Sequence, residues 1–278
     1  MSKPLVPSTT VLGSTPMLAI NTTVPAASAT PSGSTAPRPQ AAPRPAIAPA
    51  PSSSGKAVVT LSPRVAAARG NPHGILDLFV ERWSPRAFRA EPVPKIILDK
   101  MVEAARWAPS SINLQPWRFF ITAAPQDIGT TSVGDAAPLT AQPPAPTPTR
   151  AAWNTAVGER NRQWSDKAPV LVWVVARTTL GPNPYMPPEA PNRHAAFDTG
   201  AATVQFVLEG ERHGVKSHYM GGVDTAKAHA LLGLPSDHEV ICAIALGYPA
   251  DPATLDDGFR AREVPSPRLA GPDIARFL

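Results

Sequence analysis

The chain has 278 residues and a formal net charge of +5 from 26 basic and 21 acidic side chains. Its single cysteine, Cys242, rules out an internal disulfide framework and fits a reducing compartment, so a cytoplasmic location is expected. No stretch reaches the roughly 18 uninterrupted apolar residues of a membrane-spanning helix, so no membrane association is expected.

Residues 1–70 contain no Asp, Glu, Phe, Trp or Tyr and are built from Pro, Ala, Ser and Thr. So few large apolar groups cannot offset the entropy of ordering, and the segment reads as a disordered low-complexity arm. Six basic residues (Lys3, Arg38, Arg44, Lys56, Arg64 and Arg69) lie along it, leaving residues 71–278 close to neutral. The excess charge is diluted and carries no interleaved aromatics for base stacking, so nucleic-acid binding is not expected. The remaining two hundred or so residues form one domain of a size that buries a substantial core.

Along that domain, "NPHGILDLFVERWS" opens on an Asn-Pro start signal and sets Ile75, Leu78 and Phe79 on one face of a short helix. "PKIILDKMVEAARWAP" predicts a second helix from Pro94 to before Pro109, with Ile97, Met101 and Ala105 inward. "RFFIT", 118–122, reads as a strand, and 123–150 as a Pro-rich surface insertion. "APVLVWVVAR" and "EVICAIALGY" are continuous apolar runs, the pattern of fully buried strands; the second makes Cys242 an inert core thiol. Between them, "AAFDTGAATVQFVLEGERHG" predicts a helix burying Phe197, Ala201, Val204 and Leu208, closed by Gly214. Asp224 caps a further helix ending near Gly233, and "HYMGGVD" is read as the passage between the two. Helices and a sheet sharing one core give an α/β or α+β class.

Several chemistries are missing. No G-x-G-x-x-G, no G-x-S-x-G and no zinc-type spacing occurs, and "SSSGKA" lacks the earlier Gly of a phosphate loop. His213 and His218 read as cations at a helix end. What remains are segments that read anions and amides. "ERWSPRAF" offers Arg82, Ser84 and Arg86 at alternate positions, which in an extended chain converge on one side as a phosphate grip. "FRARE" places Arg260 and Arg262 likewise. "APSSINLQPWRFF" packs Pro109, Ser110, Ser111, Asn113 and Gln115 ahead of a Pro-Trp pair, either as self-bonding turn chemistry or as a polar edge for a flat ligand. In "HYMGGVD", Gly221 and Gly222 let backbone N–H groups approach a ring. Grip, edge and floor together suit flavin mononucleotide, FMN.

The order R-x-S-x-R, P-S-S-x-N-x-Q-P-W, "DTGAA", M-G-G-x-D, "ALGYP" and R-x-R resembles the nitroreductase family of FMN oxidoreductases over roughly residues 74–264. The resemblance implies an α+β fold, with a mainly antiparallel sheet wrapped by helices, and a homodimer with two flavins at its interface. It implies that Arg82, Trp83, Ser84 and Arg86 hold the phosphate, ribityl chain and ring edge, joined by Arg260 and Arg262. Pro109, Ser110, Ser111, Asn113 and Gln115 would reach the same flavin from the partner chain, and Met220, Gly221 and Gly222 would supply the floor. The implied activity is reduction of nitroaromatics, quinones or related conjugated acceptors by NAD(P)H in a ping-pong cycle. The borrowed group carries the chemistry, so no catalytic side chain and no metal ligand is assigned. The segment 181–194 reads as a lid, with Tyr185 its substrate-facing candidate.

A reading from another class makes the chain an interaction protein, docking a partner through polyproline segments such as "PRPQAAPRPAIAP" in the arm.

Overall fold

Two sequence runs with no polar interruption set the architecture of the computed structural model, which describes residues 58–122 and 149–278. They become β2 (Val170–Arg177) and β4 (His238–Gly247), paired antiparallel at the centre of a sheet. β1 (Trp117–Thr122) adds to β2, and β3 (Lys216–Met220) adds to β4, both antiparallel, giving the order β1-β2-β4-β3. The expected α+β class with an antiparallel sheet is therefore the observed one.

The period-2 geometry of strands explains why the central runs are apolar throughout. Val170, Val172 and Val174 face one cluster, with Ile244 and Leu246. Leu171, Trp173 and Val175 face the other, with Ala243 and Ala245. The first face is covered by α3 (Lys95–Arg106), through Leu98, Met101 and Ala105, and by α6 (Ala195–Glu211), through Ala202, Phe206 and Val207. The second is filled by Phe88, by Trp153 of α4 (Arg150–Asn154), by Trp164 of α5 (Glu159–Ser165) and by Ala228 of α7 (Thr225–Leu231).

The α6 face is a correction. Phe197 and Val204 of the expected inward stripe are exposed, at 79% and 49%. Asp198, Thr199, Ala202, Thr203, Phe206 and Gly210 face inward instead. Small residues win that face because they let the helix approach closely: a Cβ on Gly210 would lie 2.9 Å from the Met101 terminal methyl. The helix ends as expected, with Gly214 at φ +73° and the bonds Val215 N–H to Gly210 O and Gly214 N–H to Glu211 O of a Schellman turn. Asp224 caps α7 through the Lys227 N–H, also as expected.

Three further differences concern the chain's local structure. The stretch before Gly221 is the edge strand β3, so His218 is a strand residue and not a helix-end cation. The first predicted helix shortens to α2 (Asp77–Glu81), because Asn71 closes a turn on Ile75 and leaves Ile75 and Phe79 exposed. Residues 63–68, expected within the disordered arm, form α1 (Pro63–Ala68), capped by Ser62 and anchored by the fully buried Val65. Arg69 donates to the carbonyls of Val80, Arg82 and Ser266, and Ser62 donates to Glu81. These long-range polar contacts, invisible in an alanine-rich stretch, order it. The rest of the arm with its polyproline segments, and 123–148 of the expected insertion, lie outside the described residues. Residues 149 and 150 already belong to the cap and first turn of α4.

Among the described residues no helix is long and apolar enough to cross a membrane. Burial pushes the Cys242 thiol up to about 11, in keeping with an inert thiol.

Candidate functional site

After α2 the chain runs from Arg82 to Ala87 with alternating burial. Trp83, Pro85 and Ala87 are buried, while Arg82, Ser84 and Arg86 are partly open. The expected sharing of one side by the two guanidiniums and the hydroxyl follows from this alternation, and Arg82 Nη1 reaches Ser84 Oγ at 3.5 Å. Trp83 departs from the expectation. Its ring is buried beneath the Arg64 guanidinium of α1, at 5.1 Å, so it props the segment from behind.

Beneath the open face lies His218. Its Nδ1 donates to the Pro85 carbonyl at 3.0 Å, and its ring packs 4.4 Å from Trp164. Burial, with the nearby charges of Arg86 and Arg82, pushes His218 down to about 4, so it stays neutral near pH 7. Arg86 is itself lowered, by burial and then by the charge of Arg262.

The late basic pair splits. Arg260 closes the short helix α8 (Asp257–Arg260) and pairs with Asp257, half-exposed. Arg262 follows in the next turn, over the Phe259 ring at 5.5 Å, with its carbonyl 3.4 Å from Arg86 Nη1. The helix breaks the alternation that "FRARE" suggested, so Arg262 joins Arg86 and Arg260 stays on α8. Sequence reasoning missed Arg160. It is exposed on α5, and its charge is felt at Arg86. The signal was present in "GERNRQW", a basic helix start behind a glycine.

Gly158, just before α5, is bound to the glycine pair: its N–H donates to Gly222 O at 2.9 Å, and Asn161 Nδ2 reaches the same oxygen at 3.3 Å. Neither Gly221 nor Gly222 takes a positive φ. A Cβ on Gly221 would meet nothing within 4 Å, and both glycines are exposed. The backbone at Gly221 is therefore open, whereas a Cβ on Gly222 would lie 3.1 Å from Asn161 Nδ2. Met220 contributes only backbone there, because its side chain is 2% exposed in the core.

The loop from Pro109 to Gln115 stands elsewhere. In and after its 3-10 turn, Ser111–Asn113, the residues Ile112, Asn113 and Gln115 take φ of 42°, 59° and 48°, with Leu114 between them at −69° and no glycine among them. The bonds to that backbone include Ser111 N–H to Asp198 Oδ2 at 3.0 Å, Gln115 N–H to Ser110 Oγ at 3.0 Å and Asn113 N–H to Ser110 O at 3.1 Å, and the Gln115 side chain donates from Nε2 to Asn113 Oδ1 at 3.1 Å. Self-bonding turn chemistry is thus part of its role. Pro109, Ser110 and Ser111 also line an open cavity of about 280 Å³ with His194, Phe197 and Asp198 of the α6 start. This loop leads into β1 at one sheet edge, whereas His218 lies in β3 at the other and the two glycines follow directly after β3. Three strand spacings, roughly 14 Å, separate those edges.

Beyond the loop, Asn183 accepts the N–H groups of Tyr185 and Met186, presenting both side chains to solvent at the tip of 181–191.

Comparison with known proteins supplies the context. The model of the Nitroreductase family matches residues 80–248. A Thermus thermophilus protein named NADH dehydrogenase is 28% identical over 216 residues, covering 68% of this chain and 91% of that one. A crystal structure titled as an oxidoreductase containing FMN superimposes with a TM-score of 0.62 at 29% identity, covering 75% of this chain and 93% of that one. A Streptococcus pneumoniae nitroreductase family protein shares the fold, with a TM-score of 0.53 at 18% identity over 73% of this chain and 99% of that one.

Proposed function

We propose that this chain, which belongs to the nitroreductase family, is an oxidoreductase that binds FMN in sites shared between two copies of itself. It uses NAD(P)H to reduce nitroaromatics, quinones or related conjugated small molecules. The carrying observation is the placement of guanidinium grip and polar loop at opposite edges of one sheet. A second copy, turned about a two-fold axis, can bring its loop to the first copy's grip.

The residues fit the cofactor. Arg82, Ser84, Arg86 and Arg262 match a phosphate dianion, with Arg160 adding charge nearby. The Gly221–Gly222 backbone gives a ring room to lie flat, and nothing among the described residues requires glycine at 221. Bound there, a flavin would supply hydride transfer between NAD(P)H and the acceptor. The protein's part is to hold the phosphate, orient the ring over the glycine floor and exclude water with the partner's Pro109–Gln115 loop. Phe197 and Val204, large and exposed on α6 beside that loop, supply apolar surface for the second copy. Residues 71–278 with the ordered segment 58–70 make up the flavin domain.

The test is colour and complementation. The purified protein should absorb at about 450 nm, as flavoproteins do. Homodimers of Arg82→Ala/Arg86→Ala, or of Ser111→Trp/Asn113→Ala, should each be nearly empty of FMN. A dimer mixing the two chains places both defects on one site, so half of its sites should fill. A mixed dimer without recovered flavin overturns the shared site.

A further inference from the structure

Glu263 is 1% exposed and follows Arg262 directly. One carboxylate oxygen accepts two backbone N–H groups, from Arg86 at 2.7 Å and from Ala87 at 2.9 Å. The other lies 3.7 Å from Arg86 Nη1, outside hydrogen-bond distance, and has no hydrogen-bond donor among the described residues. The Glu263 carbonyl accepts from the Arg64 guanidinium of α1, and its N–H donates to the Arg260 carbonyl at 3.1 Å. One residue therefore joins three separate segments: the strand-like run with Arg82, Ser84 and Arg86, the turn with Arg262, and α1.

Fully burying a carboxylate is costly unless its acceptors are used. Here one oxygen is used on main chain and the other faces a guanidinium without bonding it. Such an arrangement serves the backbone more than the ion pair. The Arg86 side chain, 19% exposed, uses Nη1 toward the Arg262 carbonyl at 3.4 Å, and its remaining guanidinium donors can turn to another anion.

We propose that Glu263 is a positioning residue for phosphate recognition, setting the spacing between Arg86 and Arg262 by clamping the N–H groups of residues 86 and 87. This inference rests on the FMN reading. It concerns the phosphate alone, because no bond among the described residues joins Glu263 to Gly221 or Gly222.

Two substitutions separate reach from charge. E263D keeps the charge, but its carboxylate is one methylene too short to take both N–H groups. E263Q loses the charge and keeps an oxygen where both N–H groups point. The full chain, stripped of flavin, is titrated with FMN and with riboflavin, which lacks the phosphate, by quenching of flavin fluorescence. Wild type should prefer FMN. E263D should lose that preference by about tenfold or more while riboflavin binding stays within about threefold. E263Q should keep the wild-type preference or exceed it.

An E263D variant that still prefers FMN as wild type does, or weakens both flavins in parallel, overturns the assignment. So does an E263Q variant that loses as much as E263D, and either variant alone suffices if the other fails to fold. A wild type that binds riboflavin and FMN equally removes the phosphate grip itself, and the role of Glu263 with it.

Discussion

Lys216 donates to Glu211 at 2.7 Å across the Gly214 turn that joins α6 to β3, and both side chains are enclosed by protein. Lys216 also donates to Glu81 at 2.9 Å, so one ammonium serves two buried carboxylates. Burial dominates at Glu211 and raises it to about 7 despite the ammonium, with the Glu81 charge adding to the rise.

The pH dependence of stability follows. Glu211 keeps its proton to about pH 7 when folded, but only to about 4.5 when unfolded, so its contribution is full below 4.5 and is lost as pH rises to 7. His218, lowered to about 4 from 6.5, acts with the opposite sign: its contribution is full above 6.5 and is lost as pH falls to 4. Between pH 5 and 6.5 the two offset each other in the wild type. E211Q should remove the falling limb, leaving stability that rises with pH across that range by on the order of 1–2 kcal/mol relative to wild type. Urea unfolding at pH 5, 6.5 and 7.5 checks this; parallel curves for the two proteins contradict it.

Arg260 and Arg262 should separate in FMN affinity. R262A removes a charge-assisted contact worth about 1.5–3 kcal/mol, or roughly ten- to a hundredfold in affinity. R260A removes only an exposed pair with Asp257 and should bind FMN as wild type does. Equilibrium titration of both variants decides it, and equal losses would restore the reading of the two as a pair.

Two truncations should differ sharply. Deleting residues 1–57 removes a stretch with no acid and no aromatic side chain, and the melting temperature should hold. Deleting 1–70 also removes Val65, the Ser62 bonds to Glu81 and the Arg64 and Arg69 bonds to 80, 82, 263 and 266. The cost should be about 2–4 kcal/mol, read by calorimetry or denaturant melts. Identical melts for both would show α1 to be dispensable.

Ile112 is a β-branched residue at φ 42°, 48% exposed. Ile112→Gly should relieve backbone strain and stabilise the separated chain by on the order of 1 kcal/mol. If the loop seats on a second copy, the same change should loosen the dimer in sedimentation. A variant that neither gains stability nor changes association would mean that the strain is absent and the loop idle.

What could be read from the sequence follows a physical division. Arg82, Ser84 and Arg86 were legible because alternation in an extended run needs no partner to fix its direction. Arg262 was not separable from Arg260, since a four-residue helix changed the period between them. The inward face of α6 was misread because close packing rewards Gly, Ala and Thr, which carry little hydrophobic signal. β3 was missed because its Lys216 is buried by ion pairs, against the usual polarity of a core strand. Glu263 gave no signal at all, as its role depends on main-chain groups 176 and 177 residues away.

The placement of grip and loop at opposite sheet edges has a consequence for how the holoprotein responds to dilution. If each ligand is enclosed by two copies, cofactor uptake and subunit association are linked, and each tightens the other by the same factor. Apparent flavin affinity then depends on protein concentration, and dilution releases cofactor and separates subunits in one transition. A cell that makes little of this chain would hold a larger share of it as colourless single copies, so expression level would set specific activity as well as total activity.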